Sequence, residues 1–378
     1  MGTARSCDEA AGEVTCTTGS KEMKHLVQKI SMTMGLGDGM LSLIQALAYA
    51  QLTGRMLHVD WRGGWYGMPA QDNLFDRIFE VRGLEYSSDL PDSRAVVPQA
   101  WQGRLTNSFT DTMKEDSFDS RPGKWDRKEA LRRYSADLCA SNDMQDIVIT
   151  WDHYQFKHLV PQLKEVGGIS PATTDFEAMG YVFNRFIRLR PELSRQLDEC
   201  WDLLSSGEDK SRVLGVHVRE TNESFAVYGP ISRKRYFFAI DRFLKKSDGP
   251  ELIYLATDNK DVQRAFHEYY GDIVRSKPKW FDQPGKPLHM GRAGRPDNWA
   301  NLLDAVYEMY ALSRCGYLVR RRESSFSRVS EIIGLIPNDR VVLIERDLTW
   351  DEGYRRLRRA SRSAFRVVKR TVGGGEPR

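Results

Sequence analysis

The sequence predicts an α/β protein built from two Rossmann-like domains with parallel sheets. Segments typical of buried strands alternate with helical segments along most of the chain, which is the pattern of such folds. The length of 378 residues corresponds to two domains of about 150 residues each. No apolar run approaches the ~18 residues that a membrane-spanning helix needs, so we expect none.

The N-terminal domain is predicted over residues 25–206, after a polar, disordered leader at residues 1–24. It begins with a strand, a glycine turn and a helix that ends at Gly54. Residues 62–140 break every periodicity, so we expect loops over a surface or cleft there. Further strands are predicted at 56–61 and 146–151, and helices within 181–204, the second beginning near Pro191.

The C-terminal domain is predicted over residues 207–350, beginning in a polar segment at 207–211. Alternation is clearest here and predicts a second doubly wound sheet. The predicted strands are 213–218, 251–257, 316–320 and 340–345, and helices lie around 232–245, 259–269, 298–314 and 325–334.

The charge is unevenly distributed. Residues 354–378 hold nine Lys and Arg and one acid, which gives them a net charge of +8. Since the whole chain has a net charge of +4, the preceding residues have a net charge of −4. A mildly acidic body does not predict a nucleic-acid partner. Apolar residues recur every 3–4 positions in the basic tail at 351–378, so we expect an amphipathic helix that either docks against the N-terminal domain or lies on an anionic membrane.

The five cysteines are widely spaced and form no Cys-x-x-Cys pair. This pattern predicts neither a disulfide framework nor a structural zinc site. We therefore expect a reducing compartment and a cytoplasmic protein, peripheral at the membrane if the tail binds lipid.

The first glycine turn places Gly35 and Gly37 at the beginning of a helix, where the backbone is approachable and anions are attracted. With Asp60 ending the next strand, this superficially suggests a dinucleotide-binding unit and an NAD-dependent oxidoreductase. The fingerprint is not met, because Met40 occupies its third glycine position and Asp38 would oppose a phosphate. A tight structural turn is the alternative.

A second group of polar residues follows the strand VLGVHV. His217 and Arg219 share one face of it, and Asn222 and Glu223 come next. Ligands of doubly wound sheets bind beyond the carboxyl ends of strands, and arginine offers a planar fork of donors to a diphosphate. The alternative is a structural ion pair of Arg219 with Glu220 or Glu223.

Two more strand ends carry polar residues. Asp258 could cap the following helix or bind a ligand hydroxyl. Ser324 and Ser325 begin another helix, where they could cradle an anion or simply provide a cap. Arginine, aspartate and paired serines at three strand-to-helix turns predict a grip on a nucleotide diphosphate without metal, and no metal-ligand spacing is visible.

Several segments in this order resemble the nodulation fucosyltransferase NodZ family. The resemblance spans about residues 30–345, apart from 65–140, and the later motifs also resemble eukaryotic core α1,6-fucosyltransferases. It rests on GLGDGMLSLIQALAYAQLTGRMLHVDWRGGWY, FNRFIRLRPELSRQLDE, GVHVR, the Thr-Asp at 257–258, LSRC and SSFSR.

The resemblance implies a GT-B glycosyltransferase in which two Rossmann-like domains face a cleft. It implies GDP-fucose in the C-terminal domain, with no further cofactor or metal, and inverting transfer to a glycan hydroxyl, expected to be the 6-hydroxyl of N-acetylglucosamine. The residues on the acceptor side or in the cleft would be Gly35, Gly37, Asp38 and Arg62.

By resemblance, Arg219 would hold the β-phosphate and His217 would lie beside guanine. Ser324, with Ser325 next to it, would lie near the β-phosphate, and Asn222 and Asp258 complete the predicted donor-binding residues.

The family aspartate that reads guanine falls on Glu308, with Asp304 one turn earlier as a competing candidate. Either carboxylate can accept from the adjacent N1–H and N2–H₂ donors of guanine. The catalytic base is not secured by a motif: Glu223 and Glu220 are candidates, although the eukaryotic relatives have a second arginine where Glu220 stands. The rival class is a non-catalytic nucleotide-sugar or glycan-binding protein that lacks a base.

Overall fold

Two parallel sheets, each flanked by helices, form the framework of this computed structural model. The structure describes residues 23–31, 34–63, 65–92, 95–118, 126–140, 142, 144–166, 168–205, 207–220, 231–246, 248–281 and 297–345. The predicted leader and basic tail lie outside these residues. Within them, no helix has both the length and the apolar character to cross a membrane.

The N-terminal sheet has four strands, all parallel, in the order β2-β1-β5-β4, and a short antiparallel pair, β3 with β6, stands beside it. In chain order the strands are β1 His25–Lys29, β2 Met56–Asp60, β3 Phe79–Val81, β4 Val96–Val97, β5 Ile147–Thr150 and β6 Ile187–Leu189.

The helices of this half include those that the sequence predicts, but the prediction of helix throughout 181–204 is wrong at β6, which pairs with β3. The first begins after Gly35 and ends at Gly54, whose φ of 64° is left-handed and favours glycine. Another begins at Thr174, whose side chain and that of Glu177 form a capping box. The helices are α1 Leu36–Thr53, α2 Phe75–Ile78, α3 Phe109–Glu115, α4 Arg127–Tyr134, α5 Phe156–Glu165, α6 Asp175–Phe186 and α7 Pro191–Ser205.

The expectation of loops throughout 62–140 is wrong in part, since α2, α3, α4, β3 and β4 lie there. These elements are held by aromatic packing rather than by a periodic apolar face. Phe109 packs against Trp101, Tyr134 and Trp151 at ring-centroid distances of 6.0, 5.6 and 4.8 Å. Such contacts join residues distant in sequence, and they leave no local pattern.

The C-terminal sheet contains five parallel strands in the order β11-β10-β7-β8-β9. Its predicted strands and helices are confirmed; the two-residue β9 is too short for a sequence pattern. The strands are β7 Val213–Val218, β8 Leu252–Thr257, β9 Val274–Arg275, β10 Tyr317–Arg321 and β11 Val341–Ile344, and the helices are α8 Arg233–Leu244, α9 Lys260–Tyr270, α10 Asn298–Ser313 and α11 Ser325–Gly334.

Helices α10 and α11 join the two halves, because their apolar faces belong to the same core as α1 and α6. This packing brings the beginnings of α1 and α11 together. A Cβ atom placed on Gly37 would lie 2.3 Å from the backbone nitrogen of Phe326, so only glycine permits the approach. The shared core contains Leu43, Ile44, Leu47, Val182, Phe183, Leu302, Val306, Met309, Val329 and Ile332.

We expect Gly37→Ala to lower the free energy of unfolding by about 1–3 kcal/mol, because the new methyl group must displace backbone. Gly35→Ala is the control: its φ is −75° and an added Cβ meets nothing within 4 Å, so only a weaker N-cap preference is affected. Urea unfolding of both variants measures the difference. Equal losses would contradict the close approach of α1 and α11.

Candidate functional site

A cleft lies where the carboxyl ends of β7 and β8 face the beginnings of α1 and α11. Its empty volume, including the open mouth, is about 640 Å³. Both halves of the chain line it: Gly35, Leu36, Gly37 and Tyr66 from the first, and His217, Arg219, Thr257, Asp258, Lys279, Ala305, Glu308, Ser325 and Phe326 from the second.

Arg219 and Asp258 form the centre of the cleft. The Arg219 Nε lies 3.9 Å from the Asp258 Oδ2, and 31% of the arginine side chain is exposed, so its guanidinium is accessible to a ligand. Asp258 also accepts a hydrogen bond from the Glu220 backbone N–H at 3.0 Å. Burial raises the pKa of Asp258, although Arg219 opposes the shift.

Of the two alternatives for Asp258, the helix cap is wrong. Asn259 is the cap of α9, and its side-chain oxygen accepts from the Asp261 N–H at 2.7 Å. The cap is therefore the residue after Asp258, and the Asp258 carboxylate lines the cleft instead.

His217 is buried beside the beginning of α11. Its Nδ1 lies 3.0 Å from the Ser327 Oγ and 3.3 Å from the Ser324 Oγ, and its ring centroid is 5.0 Å from that of Phe326. Burial lowers the pKa of His217 to about 3, and the charge of Arg219 adds to the shift. The imidazole is therefore neutral at physiological pH and acts as a hydrogen-bonding group rather than a cation.

The two serines have different positions. Ser324 is the N-cap of α11, where its Oγ accepts from the Ser327 N–H at 3.5 Å. Ser325 is the first residue of the helix and lines the cleft. Because α1 begins at the same cleft, two helix N-termini converge there, and their unpaired N–H groups favour an anion.

Glu308 lines the cleft, whereas Asp304 is not among its lining residues in the described part of the chain. The Glu308 Oε1 lies 2.6 Å from the Lys279 Nζ, and their side chains are 10% and 4% exposed. Burial raises the pKa of Glu308, against the opposing charge of Lys279. Asp304 is paired with Lys277.

Sequence reasoning missed both Lys279 and Tyr66. Lys279 follows the short strand β9, and Tyr66 lies in the aperiodic region. Tyr66 is 4% exposed, and its φ of 55° is unusual for a residue other than glycine. Such backbone conformations often mark functional sites. Positive φ is typical of glycine, and a tyrosine in the sequence gives no indication that its backbone adopts this conformation.

Of the predicted bases, Glu220 is held by Arg233. The guanidinium Nε and one terminal nitrogen donate to the two carboxylate oxygens at 3.1 and 2.8 Å. This favours the structural reading of Glu220, with Arg233 rather than Arg219 as its partner. Asn222 and Glu223 lie outside the described residues.

Asp60 and Arg62 belong to an ion cluster in which Lys29 and Asp60 are buried. The Lys29 Nζ lies 2.5 Å from the Asp60 Oδ2, and the Arg62 Nε lies 2.6 Å from the Oδ1. Burial alone would raise the pKa of Asp60, but the two cations outweigh it and lower the pKa. Both Asp60 oxygens therefore have cationic partners, which disfavours Asp60 as a ligand of a ribose hydroxyl. The hypothesis of a dinucleotide-binding unit is disfavoured for the same reason.

The four residues predicted for the acceptor side or cleft therefore divide. Gly35 and Gly37 line the cleft; Asp38 and Arg62 are not among its lining residues within the described ranges. Asp38 lies half-buried in the first turn of α1. Within the described ranges, no three His, Cys, Asp or Glu side chains form a group that could hold a metal ion.

Comparison with known sequences identifies two similar proteins, both Nodulation protein Z. The chain is 26% identical to that of Bradyrhizobium diazoefficiens over 336 residues, which cover 82% of each chain. It is also 26% identical to that of Sinorhizobium fredii over 341 residues, covering 83% of this chain and 95% of the relative. The resemblance to the NodZ family is thus confirmed. No family model matches the chain.

Solved structures of similar fold confirm the GT-B architecture with its two Rossmann-like domains. Fucosyltransferase NodZ from Bradyrhizobium superposes with a TM-score of 0.57 and 22% identity, over 82% of this chain and 91% of that one. NodZ α1,6-fucosyltransferase soaked with GDP-fucose gives 0.55 and 21%, over 82% and 92%. Arabidopsis thaliana FUT1, as a mutant in complex with GDP, gives 0.51 and 16%, over 86% and 71%.

The shifted histidine predicts a pH dependence of stability. Between the ordinary histidine pKa of 6.5 and the folded value of about 3, the unfolded chain binds a proton that folded His217 does not. Stability therefore falls as the pH is lowered through this window. Between about pH 7 and pH 5, we expect the free energy of unfolding of His217→Asn to fall by about 2 kcal/mol less than that of the wild type.

Urea unfolding at the two pH values measures this difference. The exposed His158 supplies the matched control, His158→Asn. An unchanged pH dependence in His217→Asn would show that folded His217 takes up the proton.

Proposed function

We propose that this chain is a GDP-fucose-dependent fucosyltransferase that transfers fucose to a hydroxyl of a glycan acceptor. The observation that carries the proposal is the cleft, in which Arg219 and the N-termini of two helices meet the buried carboxylate of Glu308. An anion-binding end and a carboxylate suited to guanine are the two features that a GDP-sugar requires. The NodZ relatives, with structures bound to GDP-fucose and GDP, support the same donor.

The diphosphate is assigned to Arg219, Ser325 and the first turns of α1 and α11. Ser324, predicted near the β-phosphate, caps α11 and is not among the described cleft-lining residues, so it is not assigned a phosphate contact. Arginine presents several N–H donors in a rigid plane and stays charged at every relevant pH. Departing GDP gains negative charge in the transition state, so donors already fixed in place stabilise it more than they stabilise the bound substrate. Asp258 lies beside Arg219 and would orient its guanidinium.

Guanine is assigned to Glu308 rather than to Asp304. The Glu308 carboxylate lines the cleft and can accept from N1–H and N2–H₂. Asp304, one helical turn away, is not among the cleft-lining residues of the described chain. Glutamate in place of the family aspartate keeps both acceptor oxygens.

The reaction is proposed as attack of the acceptor hydroxyl on C1 of fucose with inversion, through a transition state of oxocarbenium character. A carboxylate would take the hydroxyl proton as the new bond forms. Glu223 stays the predicted base from sequence; Glu220 is disfavoured by its pairing with Arg233. The acceptor is proposed as a chitooligosaccharide or another glycan that presents the 6-hydroxyl of N-acetylglucosamine.

Metal independence is part of the proposal, because the phosphates are assigned to Arg219, Ser325 and helix termini. A cytoplasmic location is likewise a proposal, and it rests on the scattered cysteines.

For the basic tail, docking against the N-terminal domain is the favoured proposal. Peripheral contact with an anionic membrane is the alternative, and it rests on the charge of residues 354–378 and on apolar residues that recur every 3–4 positions. Truncation after Gly353 separates the two: docking predicts a lower melting temperature, and a tether predicts loss of binding to anionic liposomes.

We expect the purified protein to fucosylate a chitooligosaccharide from GDP-fucose in the presence of EDTA, with release of GDP. Mass spectrometry of the acceptor and a GDP assay measure both products. A non-catalytic binder would form neither. Activity that disappears with EDTA and returns with Mg²⁺ would overturn the metal-free assignment alone. Thermal shifts with GDP, UDP and NAD test the oxidoreductase alternative.

Arg219→Lys should leave the fold intact and lower turnover by about 10²-fold or more, because lysine keeps the charge but loses the planar fork. The measurement is kcat at saturating GDP-fucose. Arg233→Lys, at an arginine that pairs with Glu220 and does not line the cleft among the described residues, is the control. Near-normal turnover in Arg219→Lys would contradict the role of Arg219.

A further inference from the structure

Two lysine–carboxylate pairs lie side by side against α10, and only one of them faces the cleft. Lys279 pairs with Glu308 in the cleft wall, at 2.6 Å. Lys277 pairs with Asp304 one helical turn away, outside the described cleft lining. The free-energy cost of removing two charges from water often exceeds the gain from their mutual attraction. A buried ion pair is therefore weak evidence that its role is only to stabilise the fold. The cleft-facing pair therefore calls for a functional explanation.

The Lys279–Glu308 pair presents a hydrogen-bond donor next to an acceptor. An ammonium has three N–H donors, and within the described residues Glu308 is its hydrogen-bond partner, so two donors are available. The carboxylate has two oxygens with two lone pairs each, and only Oε1 contacts Lys279. The pair can thus receive a ligand that offers an acceptor beside donors.

Guanine has this arrangement on its Watson–Crick edge, where the O6 acceptor is followed by the N1–H and N2–H₂ donors. We propose that Lys279 donates to O6 while Glu308 accepts from N1–H and N2–H₂, so that the pair selects a guanine nucleotide. This inference rests on the proposed function, since it takes the cleft as the GDP-sugar site. Adenine would set its N6–H₂ donor against the ammonium and its N1 lone pair against the carboxylate.

Burial makes this discrimination effective. The two side chains are 4% and 10% exposed, so water does not readily replace a lost partner. A site built to hydrogen-bond a ligand rejects an analogue that leaves its buried polar groups unpaired. The competing role for Lys279 is contact with the diphosphate, because its charge also acts on His217 and Asp258.

Calorimetric titration of Lys279→Met with three ligands tests the proposal. GDP and inosine diphosphate both carry O6 and N1–H, whereas inorganic pyrophosphate offers the diphosphate without a base. We expect affinity for GDP and inosine diphosphate to fall by about 10- to 100-fold, the range for a hydrogen bond to a charged group. Affinity for pyrophosphate should change less than threefold, about 0.7 kcal/mol or less.

Lys277→Met is the matched control and should leave all three affinities unchanged. Lys279→Gln keeps an N–H donor, so it should lose less affinity for GDP than Lys279→Met, and it carries the test if the methionine variant does not fold. An equal loss for all three ligands would overturn the proposal and assign Lys279 to the diphosphate. Unchanged GDP affinity in both Lys279 variants would also overturn it. A wild-type protein that binds UDP or NAD in preference to GDP would instead refute the proposed function itself.

Discussion

Close packing of α11 against α1 is the constraint on which the rest of the site depends. At Gly37 the two helices approach so closely that a single methyl group would meet backbone. The contact is held by a hydrophobic core that α10 and α11 share with the N-terminal helices. It turns two separate strand-to-helix junctions into one anion-binding surface, because each helix presents unpaired N–H groups at its beginning. Without this packing, each domain would contribute only half of the cleft.

Burial then determines the charge state of the groups in that cleft. His217 is neutral, since desolvation lowers its pKa to about 3. Asp258 and Glu308 are disfavoured as anions by the same effect, and Arg219 and Lys279 oppose it. Opposite charges therefore lie close together in a buried region. The proposed transfer would use this arrangement to stabilise the charge of the leaving group.

Local sequence patterns were sufficient for the strand-end residues and for the element order of the C-terminal domain, apart from the two-residue β9. Buried parallel strands are continuous apolar runs, and a polar residue at the end of such a run lies at the edge of the sheet where ligands bind. Arg219, Asp258 and Ser325 line the cleft for this reason. The same reasoning was less effective between residues 62 and 140. Aromatic contacts such as that of Phe109 with Trp151 hold short helices there, and these contacts produce no periodic pattern in the sequence.

The sequence by itself thus determined the fold class, the two sheets and the residues that a strand delivers to its carboxyl end, because each of these depends on local periodicity. Tertiary structure alone decided which charges pair. It assigned Glu220 to Arg233, Asp60 to Lys29 and Glu308 to Lys279. These partners lie 13, 31 and 29 residues apart along the chain, and a Coulombic contact depends on distance through space rather than along the chain.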